Sequence, residues 1–138
     1  MTLDEYQEAA LRTSPRDQRA YKIPETISDA LHDFVGDGDG ADKKVLEPLL
    51  DVYDQMVWSL GLSGEAGEFA DLMKKAHGHG HELDKNKAAK ELGDVLWYVS
   101  VLAKSLGFTL SEIATMNVVK LMNRYPNGFT VEDSKRHV

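Results

Sequence analysis

Apolar residues recur at helical spacing over most of the chain, and this pattern predicts helices. The first is a short helix over Leu3 to Arg12, with Thr2 as its amino-terminal cap and Glu5 three residues further on. The pattern then fades through residues 13 to 47, which contain two prolines and three glycines. We interpret this part as a long, partly ordered connection.

Three longer helices are predicted after this connection, over residues 48–76, 84–106 and 109–124. Gly61 and Gly64 are candidate kink points in the first helix, and Gly107 ends the second. Thr109 and Glu112 form a capping pair at the start of the third. No strand pattern is present, so the predicted fold class is all-α, an antiparallel helical bundle. Residues 1–47 precede the helical core at 48–128, and residues 129–138 form a tail.

Length and composition restrict what such a bundle can do. A chain of 138 residues and 15.4 kDa is one domain, and its net charge of −7 argues against a nucleic-acid partner. No cysteine is present, which excludes disulfides and thiolate metal sites. The most apolar stretch, residues 95–103, lies between Asp94 and Lys104 and is too short to span a membrane. We therefore expect a cytoplasmic protein with no membrane partner.

Four carboxylates interrupt the apolar faces of the first two long helices. Glu65 and Glu68 share a sector with apolar residues of the first, and Glu91 and Asp94 do so on the second. The apolar residues in these sectors are Trp58, Leu62, Phe69, Leu72, Val95, Tyr98 and Leu102. The pairs Glu68/Glu91 and Glu65/Asp94 are symmetric about one point, inside the His77–His81 loop that should reverse the chain. All four carboxylates are therefore expected at one level of the hairpin.

Four ionised carboxylates that face each other repel strongly, and cations between them would remove this repulsion. An all-oxygen ligand set without cysteine or histidine favours a hard ion, Mg²⁺ or Mn²⁺, over zinc. A di-iron site would need Glu-x-x-His pairs, and no histidine lies three residues after Glu65 or Glu91. The predicted site is therefore a magnesium or manganese centre.

Positive charge comes from the third long helix, where Asn117, Lys120 and Arg124 share a face. Such a face can hold a phosphate by point charge and by bidentate hydrogen bonds. Alternatively, Lys120 and Arg124 cover the edge of the core or pair with the carboxylates. Lys75 is a weaker phosphate candidate, for which a solvated helix end is the competing interpretation.

Four motifs in this order resemble the MazG-like nucleoside triphosphate pyrophosphohydrolases, part of the all-α pyrophosphatase superfamily. They are Gly64-Glu65-Ala66-Gly67-Glu68, Lys74-Lys75, Glu91-Leu92-Gly93-Asp94 with the following Val95-Leu96-Trp97-Tyr98, and Asn117-Val118-Val119-Lys120 continuing to Arg124-Tyr125-Pro126. The resemblance covers roughly residues 50 to 128, so the first 47 residues lie outside it.

The resemblance implies hydrolysis of a nucleoside triphosphate between its α and β phosphates, with Mg²⁺ held by Glu65, Glu68, Glu91 and Asp94. These four would form the catalytic centre, and which of them acts as the base stays open. Lys120 and Arg124 would stabilise charge on the polyphosphate, and Asn117 would bind phosphate or sugar. A homodimer or homotetramer is expected, because the apolar stripes exceed what one hairpin can cover.

A second class of function stays open at this stage, a non-catalytic nucleotide-binding or helical interaction module with the same fold. Such a module does not require four carboxylates at one level of the hairpin beside a basic helix. Trp58 and Trp97 could each stack on a base, but core packing is the ordinary role of such residues.

Overall fold

The computed structural model describes residues 1–14 and 41–135, and this part of the chain is all-α. Its helices are α1 (Leu3–Leu11), α2 (Ala41–Gly78), α3 (Lys85–Ser105), α4 (Leu110–Arg124) and α5 (Val131–Lys135). No β-strand occurs among these residues, which confirms the predicted fold class. Most of the connection predicted over 13–47 lies outside the described residues.

The ends of three helices follow the capping signals in the sequence. Thr2 Oγ1 accepts the Glu5 N–H at 3.1 Å, and the Glu5 carboxylate accepts the Thr2 N–H at 2.7 Å. Thr109 and Glu112 repeat this reciprocal pair, at 3.1 and 2.8 Å, at the start of α4. Asp84 caps α3 through its side chain. Because these bonds satisfy N–H groups that have no partner within the helix, they fix where each helix begins.

Two helix bounds differ from the prediction. Helix α2 begins at Ala41 rather than at residue 48, and Pro48 lies inside it. Proline favours the first turn of a helix, so the sequence pattern placed the helix start there, although the residues before it also continue the helix. Helix α5 falls in the predicted tail, where Thr130 Oγ1 accepts the Asp133 N–H at 3.0 Å.

The antiparallel pair of α2 and α3 forms the most extensive contact of the fold. Trp58 of α2 is 2% exposed and Val101 of α3 is fully buried, so Trp58 is a core residue. The ring of Tyr98 occupies the space where a side chain on Gly61 would begin. Gly61 therefore permits close approach of the two helices, and α2 runs through it without interruption. The chain reverses between the helices with Gly80 at φ 74°.

Helix α1 is fastened to α3 and α4 by Gln7, which is only 2% exposed. Its amide nitrogen donates to the carbonyl oxygens of Ser100 at 3.2 Å and Phe108 at 3.1 Å. Its carbonyl oxygen accepts the Leu110 N–H at 3.2 Å. One buried side chain thus joins three helices. It provides hydrogen-bond partners for two backbone carbonyl groups and one backbone N–H group.

Three further hydrogen bonds hold the ends of α1. The Trp97 indole N–H donates to Thr13 Oγ1 at 2.8 Å and to the Ala10 carbonyl at 3.2 Å. The Ser111 N–H donates to the Asp4 carboxylate at 3.0 Å. Trp97 therefore docks α1 on α3 and is not presented to a ligand through its indole N–H.

Helix α4 carries large apolar side chains that are exposed in the described part of the chain. Five of them are between 42 and 65% exposed: Met116, Val118, Val119, Leu121 and Met122. Within the described residues, none of the helices is both long enough and apolar enough to cross a lipid bilayer.

The close approach at Gly61 leads to a paired test of stability. Gly61→Ala would place a methyl group into the Tyr98 ring and should lower the free energy of unfolding by about 1–3 kcal/mol, the usual effect of overpacking. Gly64→Ala meets no atom within 4 Å and should raise it by up to about 1 kcal/mol, because alanine favours the helix. Urea unfolding of both variants measures these changes, and equal effects would contradict the proposed contact.

Candidate metal centre

Three carboxylates meet on one side of the α2–α3 hairpin: Glu65 of α2, and Glu91 and Asp94 of α3. One oxygen of each lies within 4.8 Å of the others. Glu91 is 8% exposed, Glu65 is half-buried and Asp94 is exposed, so the cluster opens from the protein interior to the surface. The helices thus bring together three of the four carboxylates expected at one level.

The three carboxylates and Glu68 act on one another electrostatically. The pKa of Glu65 is raised, mainly by burial and then by the negative charges of Glu68, Asp94 and Glu91. Glu68 is exposed, lies one turn further along α2 and is not within the group of three. It therefore contributes charge at the edge of the cluster. Oxygen ligands with this excess of negative charge suit a hard divalent cation.

Lys75, the weaker phosphate candidate, is paired elsewhere. Its ammonium lies 2.5 Å from the carboxylate of Asp71, and so does the ammonium of Lys74. The two lysines hold the pKa of Asp71 down at about 2. This is a partly exposed ion pair at the end of α2, and it favours the interpretation of Lys75 as a solvated helix-end residue.

Asn117 and Lys120 are exposed on α4. Both line a shallow groove bordered by α1 and α3, whose other residues include Leu3, Leu96, Val99 and Ile113. Lys120 also borders a second groove with Met116 and Arg124. Neither groove is lined by Glu65, Glu91 or Asp94. Among the described residues, Lys120 therefore borders a different part of the surface from the carboxylate cluster.

Arg124 joins α4 to the carboxy-terminal segment. Its Nη2 donates to the Ser134 carbonyl at 3.0 Å, and its guanidinium lies 5.2 Å from the centre of the Tyr125 ring. The buried Nε has no hydrogen-bond partner among the described residues. These contacts favour the alternative role considered for Arg124, in which it covers the edge of the bundle.

The sequence analysis missed one residue next to the cluster, Tyr6 of α1. Its hydroxyl donates to the Gly93 carbonyl at 3.4 Å, directly before Asp94 in the chain. Burial raises the pKa of the Tyr6 phenol, and the charge of Asp94 raises it further. Tyr6 and Gly93 lie 87 positions apart. No periodic pattern along the chain could have indicated this contact.

The part of the chain that holds the cluster matches a known protein family. The MazG nucleotide pyrophosphohydrolase domain matches residues 57–129, which include the carboxylate cluster and all of α4. The chain is 39% identical over 74 residues to Gene 37 protein of Mycobacterium phage L5, across 51% of this chain and 65% of that protein. No solved structure gives a significant match. The chain belongs to the MazG nucleotide pyrophosphohydrolase family.

Repulsion within the cluster predicts a change in the stability of the metal-free protein. The folded state raises the pKa of Glu65, so its contribution to stability is lost as the pH rises through that pKa. Glu65→Gln should therefore raise Tm at pH 7 in chelator, whereas added Mg²⁺ should raise the Tm of the wild type more than that of the variant. Thermal unfolding with and without Mg²⁺ measures both.

Glu82→Gln is the matched control, because Glu82 is exposed in the loop between α2 and α3. It removes one negative charge outside the cluster and should leave the effect of Mg²⁺ unchanged. Equal behaviour of the two variants would show that the repulsion does not arise in the cluster.

Proposed function

We propose that this protein is a Mg²⁺-dependent nucleoside triphosphate pyrophosphohydrolase that cleaves between the α and β phosphates. The products are a nucleoside monophosphate and pyrophosphate. The observation that carries the proposal is the meeting of Glu65, Glu91 and Asp94 on one hairpin, inside the region matched by the family. A role in controlling or cleansing the nucleotide pool follows from such an activity.

Glu65, Glu91 and Asp94 would hold the metal, with Glu68 as a fourth carboxylate one turn away. The donor set fits a hard cation, because all ligands are oxygens, and burial followed by the negative charges of the neighbouring carboxylates raises the pKa of Glu65. When bound, Mg²⁺ or Mn²⁺ lowers the pKa of an attacking water and neutralises charge on the phosphates.

The carboxylates themselves have two further tasks in this proposal. Glu91 is buried and supplies a fixed oxygen at the base of the site, whereas Asp94 and Glu68 lie at its open side. A carboxylate of this set accepts the proton released when water adds to phosphorus and the bond to the bridging oxygen breaks. Pyrophosphate then leaves, and the proton returns to solvent.

Helix α4 would stabilise the charge on the polyphosphate. Lys120 and Asn117 are exposed for this role, and Arg124 keeps donors that Ser134 does not use. Since the grooves that Lys120 lines contain none of the clustered carboxylates, we propose that a second copy covers the apolar residues of α4 and completes the site in a homodimer or homotetramer. Sedimentation above 15.4 kDa at micromolar concentration is the expected result.

Turnover should depend on the metal and on its ligands. Pyrophosphate release from a panel of canonical and modified nucleoside triphosphates should require Mg²⁺ or Mn²⁺ and stop in excess chelator. Glu68→Gln and Asp94→Asn should each abolish release with little loss of fold, because a neutral amide removes the charge that holds the cation. Glu82→Gln should retain wild-type turnover. Nucleotide binding without turnover would indicate a non-catalytic module instead.

The basic residues of α4 should give two different signatures. Lys120→Ala should lower turnover about ten- to a thousandfold, the range for loss of one charge-stabilising donor, while Tm stays near that of the wild type. Arg124→Ala should lower both turnover and Tm, because its contact with Ser134 is also lost. Arg124→Lys should recover turnover only in part, since lysine lacks the planar fork. A fall in Tm with normal turnover would assign these residues to the fold alone.

A further inference from the structure

Helix α1 lies outside the region matched by the family, yet it reaches the carboxylate cluster through one side chain. The Tyr6 hydroxyl donates to the Gly93 carbonyl at 3.4 Å. Gly93 stands between Glu91 and Asp94 on α3. The contact therefore falls on the turn of backbone that carries two of the three clustered carboxylates.

The position of the phenol is set by the fold and does not depend on its own long hydrogen bond. Gln7, the next residue, is buried and makes three hydrogen bonds to α3, α4 and the segment between them. Trp97 holds the far end of α1 and Asp4 holds its first turn. Helix α1 is thus held at both ends, and this fixes the position of Tyr6 independently of its contact with Gly93.

Among the clustered carboxylates, Asp94 has the side chain that packing restricts least. Glu91 is buried and Glu65 is half-buried, so packing restricts both side chains, whereas Asp94 is exposed. Hydrogen-bond partners of metal ligands commonly fix the orientation of the ligand, and their loss weakens the metal affinity. A hydrogen-bond donor to the carbonyl of Gly93, the residue before Asp94, is suited to fixing the orientation of Asp94.

We propose that Tyr6 is a positioning residue of the metal centre, whose hydroxyl holds the α3 backbone at the Gly93 carbonyl, directly before Asp94 in the chain, so that Asp94 stays directed toward Glu65 and Glu91. The proposal rests on the proposed metal-dependent function. It assigns the amino-terminal helix a part in the site that the matched family region does not contain. Tyr6 acts through Asp94 and is not itself a ligand.

The test measures Mn²⁺ affinity by calorimetry or electron paramagnetic resonance on the full chain, without any nucleotide. Tyr6→Phe keeps the ring and removes only the hydroxyl, and it should weaken Mn²⁺ binding by about tenfold or more. Its Tm in chelator should stay close to that of the wild type, because the lost hydrogen bond is long.

Tyr125→Phe is the matched control. It removes the same hydroxyl at the end of α4, where the structure shows no hydrogen bond from that group among the described residues. Mn²⁺ affinity should equal that of the wild type.

Three results would overturn the proposal. Equal Mn²⁺ affinity of Tyr6→Phe and Tyr125→Phe shows that the hydroxyl has no effect on the centre. A lower Tm with unchanged affinity shows that Tyr6 only supports the fold. A wild-type protein that binds no Mn²⁺ and releases no pyrophosphate contradicts the proposed function and this inference together, whereas either of the first two results in a protein with metal-dependent turnover contradicts this inference alone.

Discussion

The packing of α2 against α3 is the constraint on which the candidate site depends. Trp58 and Val101 bury the apolar side of this pair, and Tyr98 against Gly61 lets the two backbones come close. This contact fixes the register of the hairpin. A slip of one helical turn would move Glu65 about 5.4 Å along α3 and separate it from its partners. The carboxylate cluster is therefore a product of apolar packing several residues away.

That register also imposes a cost. Burial, and then the negative charges of the neighbouring carboxylates, raise the pKa of Glu65 and disfavour its ionised form, so the apolar contacts of the hairpin must offset this cost. Sites for charged ligands commonly retain such unfavourable contacts, because removing them would also remove the binding. The neighbouring Asp71 shows the opposite case, since two lysines stabilise its ionised form.

The features that could be predicted from the sequence were local, or they followed from the symmetric positions of residues about the chain reversal. Capping pairs such as Thr109 and Glu112 predicted helix starts because their hydrogen bonds span three residues. The level of Glu65 with Asp94 followed from a single reversal between two straight helices. Contacts between distant segments, such as Tyr6 with Gly93, have no such signature. The predicted start of α2 was also wrong, because Pro48 lies inside the helix and does not begin it.

The candidate site needs positive charge that its carboxylates do not supply. The carboxylates and a polyphosphate are both negative, so neither approaches the other without cations between them, and the chain as a whole carries a net charge of −7. Helix α4 supplies Lys120, but the grooves that Lys120 lines contain none of the clustered carboxylates, and the apolar side chains of α4 stay exposed in the described part of the chain. Under the proposed function, both features have one physical solution. Contact with a second copy that covers the apolar side chains of α4 would also bring positive charge to the open side of the cluster, where the phosphates must lie.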